Sequence, residues 1–409
     1  MNALDLFYEI CKIPHPSGNA LALRDFIIDF AKKYHCDTKI DNANNIHIIK
    51  GSPKICLQAH YDMVLIGEKI EPIIVESNNT RFLKSKNSSL GADNGAALAA
   101  ILYLLSVKDN IEAIITSDEE IGMIGAKNLA LEIKSKKILN LDSENINEIC
   151  IGCAGGLSAK IRLKPDFKDS DFKYFYEVST RKFLGGHSGI DINKNIKNAI
   201  VELAYFIYAL PCEIIDLSGG EKNNSIPVNA KAIIATNKNL DDFSNDFIEV
   251  HRLKESYTKS AKKDFLYPLI ALHSGVYAVR QNNVLSSLNI SKISLDSLEI
   301  MARANRVEML EMHKKRLQFM FDAVEIVDSY APWEAKDSAF LKEIEKVFAS
   351  NKINYDIIEI HAGLECGILK EKCDEILSIG PTILNPHSKL ESLDLKSFEK
   401  FLLILDVLI

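Results

Sequence analysis

Lys54-Ile55-Cys56-Leu57-Gln58-Ala59-His60-Tyr61-Asp62 contains a short apolar run that stops at ionisable residues. Working outward, the arrangement returns. Ile111–Thr116 runs into Asp118-Glu119-Glu120, Lys137–Leu141 runs into Asp142, and Ile376–Ser378 precedes His387. Short apolar runs bounded by turn residues read as strands buried on both faces, the habit of parallel sheets. Helical spacing fills the intervals, at residues 3–11, at 19–34 (Leu23, Phe26, Ile27, Phe30), from about Asn94 to Leu105 and near Gly125–Ile133. A breaker loop, Ile13-Pro14-His15-Pro16-Ser17-Gly18, separates the first two. Strands alternating with helices predict an α/β domain with a mainly parallel central sheet.

The pattern changes after about residue 172. A strand at Tyr174–Ser179, a turn Gly185-Gly186-His187-Ser188-Gly189 and a helix Ile196–Ala209 are followed by strands near 229–236 and 286–301 and a helix Glu308–Phe321. That order is the signature of a split βαβ layer. Beyond Trp333 the first pattern resumes, with a helix at 337–349, strands at 355–360 and 375–379 and a last helix from Leu393 to Ile409. The reading is a discontinuous α/β domain, residues 1–172 and 334–409, interrupted by an inserted α+β, ferredoxin-like domain, residues 173–333. The Lys-rich stretch Arg252–Lys263 reads as a solvated helix face.

Composition removes several function classes. With 49 Lys+Arg against 56 Asp+Glu the net charge is −7, the wrong sign for a nucleic-acid or anionic-membrane partner. No apolar run reaches the roughly 18–20 residues that span a bilayer. Asp5 and Glu9 stand where a signal peptide carries Lys or Arg, and the eight cysteines are scattered, so a reducing, cytoplasmic location is expected. The lone Cys150-x-x-Cys153 pair reads as structural, since a zinc ribbon needs a second pair.

Five clusters carry chemistry: His60-Tyr61-Asp62, Gly91-Ala92-Asp93-Asn94-Gly95, Asp118-Glu119-Glu120, Asp142 and His387. Each alone has an ordinary explanation, such as an N-cap for Asp93 or a solvated turn for the Glu pair. Their coincidence does not, because ligands of open parallel sheets collect at the carboxyl ends of strands, where all five are placed. Three carboxylates (Asp93, Glu120, Asp142) and two imidazoles (His60, His387) suit zinc, cobalt or manganese better than magnesium or calcium. Two ions fit the count: Asp93 bridges, the other four divide as terminal ligands, and a water or hydroxide lies between ions roughly 3.5–4 Å apart. Glu119 is placed to take that water's proton, and Asp62 to hydrogen-bond the second ring nitrogen of His60.

The order of these motifs resembles the co-catalytic zinc aminopeptidases and carboxypeptidases, a family that includes aminoacylases and carnosinases, and more narrowly the bacterial aminoacyl-histidine dipeptidases. The similar stretches are Leu57–Val64, Leu90–Gly95, Gly152–Gly156, Gly185–Gly189, Asn224–Pro227, His361-Ala362-Gly363-Leu364-Glu365-Cys366-Gly367 and Ser378–Thr382. The resemblance implies two zinc ions on His60, Asp93, Glu120, Asp142 and His387, with Glu119 as general base and Asp62 orienting His60. It implies that the inserted domain is a lid and a homodimerisation surface, and that His187 polarises the scissile carbonyl, in relatives sometimes from the partner subunit. Arg303 and Asn224 match positions that hold the substrate's C-terminal carboxylate and backbone, and Glu365 is a candidate contact for its amine. Two departures stand out: residues 236–286 are fewer than in typical members, which bears on the oligomeric state, and Tyr61 replaces a common apolar residue.

The expected reaction is hydrolysis of dipeptides, Xaa-His dipeptides including β-alanyl-histidine. Within the same family the rivals are a broad dipeptidase, a tripeptidase and an N-acyl amino acid deacylase. A metal-free binding protein on the same fold is disfavoured because all five ligands and the base are present together. A thiol enzyme using Cys366 or Cys153 lacks a paired His at readable spacing.

Overall fold

Eight strands build the first sheet of the computed structural model, which describes all 409 residues except Asn78 and Asn282. They are β1 (Asp37–Ile40), β2 (Ile46–Lys50), β3 (Ile55–His60), β4 (Ile111–Thr116), β5 (Lys137–Asn140), β6 (Glu148–Cys153), β7 (Asp356–Ile360) and β8 (Glu375–Ser378). Their order is β1-β2-β4-β3-β5-β8-β6-β7. The central four, β4, β3, β5 and β8, are mutually parallel. The flanking β1 and β2, and β6 beside β8, run antiparallel to their neighbours. Every residue of β3 and β4 is buried, which is why their sequences are mostly apolar rather than alternating, and their few polar members, Gln58, His60, Glu112 and Thr116, are hydrogen-bonded.

The helix Ala92–Val107 is apolar on all sides because it is buried on all sides. Leu98, Ile101, Leu102 and Leu105 are wholly inaccessible, each contributing about 1.5–3 kcal/mol by removal from water. A small second sheet pairs Ile383–Leu384 with Ser392–Asp394 as an antiparallel hairpin, whose loop carries His387. Asp394 then caps the helix Leu395–Leu408 by accepting from the backbone N–H groups of Lys396 and Ser397 at 2.8 and 3.0 Å.

The chain divides into two compact units, residues 1–152, 335–359 and 364–409, and residues 153–334 with 360–363. The second unit is built on an antiparallel sheet whose main path runs Ile248–Arg252, Tyr174–Thr180, Ala230–Thr236, Glu213–Gly219, Asn283–Ser294, Ser297–Ala304, Gly155–Arg162, Val324–Tyr330. It holds two split βαβ elements. Tyr174–Thr180, the helix Ala199–Tyr208 and Glu213–Gly219 enclose Ala230–Thr236, while Ser297–Ala304, the helix Val307–Met320 and Val324–Tyr330 enclose Gly155–Arg162. This last pairing moves the division to Gly152/Cys153 rather than residue 172, because a strand belongs with its hydrogen-bonding partners wherever they fall in sequence.

Three local expectations are corrected. Residues 286–301 are not one strand but a hairpin, turning at Leu295-Asp296. The helix near Gly125–Ile133 is a single turn, Ile124–Lys127. The Lys-rich segment is extended: it ends the strand Ile248–Arg252 and includes the strand Lys259–Ala261, so its charges line strands and a loop. Among the described residues no helix is long and apolar enough to cross a membrane.

Candidate metal centre and a second polar cluster

Three parallel-sheet strand ends, one helix start and one hairpin loop deliver the first cluster; His387, expected at the end of β8, lies instead in the antiparallel hairpin that follows it. His60 terminates β3 and is 1% exposed. Its Nδ1 lies 3.0 Å from the backbone carbonyl of Asp62 and 3.5 Å from the Asp62 carboxylate. A carbonyl only accepts, so Nδ1 donates, and in the neutral ring Nε2 carries the lone pair. That Nε2 faces Asp93 Oδ1 and Asp142 Oδ1, each at 3.4 Å. The other oxygen of Asp93, Oδ2, lies 3.0 Å from His387 Nε2, and Glu120 Oε1 lies 2.7 Å from the same nitrogen. Asp93 thus presents one oxygen to each imidazole. Two donor triads sharing Asp93 follow, His60 with Asp142 and Glu120 with His387, and Glu119 forms a further group with His60 and Glu120.

This arrangement fits cations. A lone pair and two carboxylates converging on one point repel unless a positive charge sits there, and without an ion the imidazoles must supply it. Burial opposes protonation of His60, yet Asp142, Asp62 and Asp93 hold its imidazolium well above the usual range. Against the same opposition Asp93 and Glu120 push His387 up to about 11. Burial pushes Glu119 well up, with Asp142, Glu120 and Glu365 adding to it, and raises Asp142 to about 6. The donor set is mixed nitrogen and oxygen, the chemistry of zinc, cobalt or manganese.

Asp62 does more than face His60. Its Oδ1 accepts from Glu119 N at 2.9 Å, and its Oδ2 from Glu120 N at 3.3 Å and from Ser17 Oγ at 2.7 Å, so one carboxylate fixes the segment bearing both glutamates. Asn94 Nδ2 donates to Asp142 at 2.7 Å. Glu365 is fully buried: Oε2 accepts from Gln58 Nε2 and from Thr116 Oγ1 at 2.6 Å, while Oε1 has no hydrogen-bond partner among the described residues. Burial raises its carboxyl to about 7. The roles of Ser17, Gln58, Asn94 and Thr116 were not legible in the sequence, since their partners lie between 45 and 307 positions away.

The second unit carries a different cluster. His187 Nδ1 accepts from the backbone N–H groups of Gly189 and Ile190 at 3.3 and 3.1 Å, so the ring proton resides on Nε2, a donor. Asn224 is exposed and gives its backbone carbonyl to Ser188 N at 2.8 Å. Arg303, 4% exposed, donates through Nη1 to Tyr330 Oη at 3.2 Å, and its Nε has no partner among the described residues. Gly189 permits this gathering: a Cβ there would stand 3.2 Å from both Arg303 Nε and His187 Cε1 and 2.5 Å from the His361 carbonyl. His361 lies between Ser287 Oγ at 2.7 Å and Asn305 Oδ1 at 2.9 Å, and burial with the neighbouring Arg303 charge lowers it to about 3. Within its own unit the structure therefore gathers His187, Arg303 and His361, with the Asn224 backbone bracing the turn.

Comparison with known proteins relates the sequence and the fold to hydrolases. The chain is 28% identical over 459 aligned positions to the cytosol non-specific dipeptidase of Escherichia coli (strain K12), covering 96% of this chain and 94% of that protein. The crystal structure of aminoacylhistidine dipeptidase from Vibrio alginolyticus superposes with a TM-score of 0.77 at 26% identity, covering 99% of this chain and 96% of that one. The fold is also shared by human carnosine dipeptidase 1, with a TM-score of 0.54 at 13% identity over 99% of this chain and 95% of that one. The model of Peptidase family M20/M25/M40 matches residues 56–409, so the chain belongs to that family and is a peptide-bond hydrolase.

Proposed function

We propose that the protein is a two-metal dipeptidase acting on Xaa-His dipeptides, β-alanyl-histidine among them. The observation that carries the two-metal part is Asp93, whose oxygens each face a different imidazole. The dipeptide part is supported by the relatives at 28% and 26% identity, named as dipeptidases. His60 and Asp142 would hold one zinc ion, and Glu120 and His387 the other, with cobalt or manganese as substitutes. Bound divalent ions supply Lewis-acid polarisation of the scissile carbonyl and lower the pKa of the attacking water.

The chain's own groups do the rest. Glu119 takes a proton from the attacking water and passes it to the leaving nitrogen, while Asp62 holds Glu119 in place through its backbone N–H. His187 donates from Nε2 to the oxygen on which negative charge develops. Arg303, a buried guanidinium without a carboxylate partner among the described residues, pairs with the free carboxylate of the substrate. Asn224 borders the substrate backbone, and Glu365 Oε1 accepts from its amine. A free carboxylate close to the scissile bond favours dipeptides over longer chains. A homodimer through the inserted unit and a cytoplasmic site of action complete the reading.

Metal content by elemental analysis, measured together with hydrolysis of β-alanyl-histidine, glycyl-histidine, leucyl-glycine, tripeptides and N-acetyl amino acids, tests it. Two ions per chain and preference for the histidine dipeptides are expected. Equal turnover of leucyl-glycine would favour a broad dipeptidase, the reading closest to the name of the Escherichia coli relative. A metal-free protein inactive on the whole panel would remove the proposal.

A further inference from the structure

Glu391 is 2% exposed, and no Lys, Arg or His pairs with it among the described residues. Its charge is held by backbone amides alone: Oε2 accepts from Leu90 N at 2.8 Å and Gly91 N at 3.0 Å, and Oε1 from Ala92 N at 2.7 Å and Asp93 N at 3.2 Å. These N–H groups belong to the turn that leads into the helix Ala92–Val107, where Asp93 and Asn94 are themselves non-helical, and all four point at one carboxylate. Helix starts ordinarily satisfy such groups with a local side chain at the N-cap. Here that solution is closed: Gly91 has φ +70°, and a Cβ on it would lie 2.8 Å from Met63 Sδ.

The remote cap comes from a particular place, the hairpin loop between Ile383–Leu384 and Ser392–Asp394, four residues after His387. The loop between is braced. Glu391 N donates to the Ser388 carbonyl at 3.1 Å, Leu390 N to Ser388 Oγ at 3.1 Å, and Ser388 Oγ to the Asn385 carbonyl at 2.7 Å. The side chain of His387 is 45% exposed against 10% for Asp93, so its own burial does little to fix it.

We propose that Glu391 is a positioning residue, clamping the loop that carries His387 to the helix start that carries Asp93 so that the two metal donors keep their spacing. This rests on the metal-centre reading above and adds a group that touches no ion. A loop held only at its hairpin base would let His387 wander from Asp93 Oδ2, and an ion would have to order it on binding. With the clamp, that ordering is complete before the ion arrives.

The experiment uses the full chain, stripped of metal and titrated with Co²⁺ against a competing chelator, with the cobalt d–d absorption as readout. Glu391→Gln places an amide against backbone donors and is expected to weaken cobalt binding about 10- to 100-fold, the range for groups that orient ligands. Glu391→Asp, which keeps the charge on a shorter arm, should recover part of the loss. Glu112→Gln is the control. Glu112 is equally buried and accepts from His47 Nε2, Lys134 N and Ser135 N at 2.6–2.7 Å, so its loss should lower the thermal midpoint and leave cobalt affinity unchanged. Wild-type affinity in Glu391→Gln, or an equal loss in Glu112→Gln, overturns the clamp. If Glu391→Gln does not fold, Glu391→Asp decides alone, and wild-type affinity there overturns it too. Asp93→Ala separates the two ideas: if it still binds both cobalt ions, the metal-centre reading fails, whatever Glu391 does.

Discussion

The first unit gathers carboxylates around two imidazoles; the inserted unit gathers imidazoles around one buried guanidinium. Asp93, Glu119, Glu120, Asp142 and Glu365 outnumber His60 and His387, whereas Arg303 has no carboxylate partner among the described residues. Each cluster is uncompensated, in opposite senses. Burying unpaired charge costs several kcal/mol, and the proposed function assigns a partner of opposite sign to each place, cations in one and an anion in the other.

The sharpest way to break the contrast is to empty the acidic cluster. Asp93→Ala should lose metal by elemental analysis and lower turnover by roughly a thousandfold or more, while the inserted unit keeps its fold. Glu119→Gln separates chemistry from binding: both ions should stay while kcat falls about 10²- to 10⁴-fold. Arg303→Met attacks the other side. KM for dipeptides should rise by about 10- to 100-fold with metal content unchanged, and dipeptide amides, which lack the carboxylate, should lose little further in the variant.

A smaller effect distinguishes the two regions by pH. Burial and the Arg316 charge lower His313 to about 4, and His361 is lowered to about 3. Their unfolded value is about 6.5, so between pH 6.5 and these folded values the unfolded chain binds more protons. The stability they contribute is therefore complete above pH 6.5 and is lost as the pH falls toward 3. Denaturant midpoints of the inserted unit, followed by hydrogen exchange, should decline across that window, and His313→Gln should flatten the decline.

The candidate metal centre was legible because most of it follows strands whose buried runs end at ionisable residues. Ile111–Thr116 buries its one carboxylate, Glu112, only by pairing it with His47 and two backbone amides, so the acidic run Asp118-Glu119-Glu120 marks the sheet's rim. The first split βαβ element was legible in part because strand and helix periods alternate along it, whereas the second was read without two of its strands, Gly155–Arg162 and Val324–Tyr330. What escaped was set by partners far along the chain. Gly155–Arg162 looks like any strand until Ser297–Ala304 and Val324–Tyr330 claim it. Glu391 looks like a surface glutamate until four amides some 300 positions away close on it. The charges of Arg252–Lys263 carry no period and fit an extended chain as well as a helix.

The strand order has a consequence for how the protein is made. β8, residues 375–378, lies between β5 and β6, so the centre of the first sheet stays open until those residues have left the ribosome. Residues 153–334, which make up nearly all of the inserted unit, emerge well before. Vectorial synthesis thus lets the interruption fold before the domain it interrupts. His387 arrives later still, so the candidate metal centre is incomplete until all but the last few turns of the chain have been made.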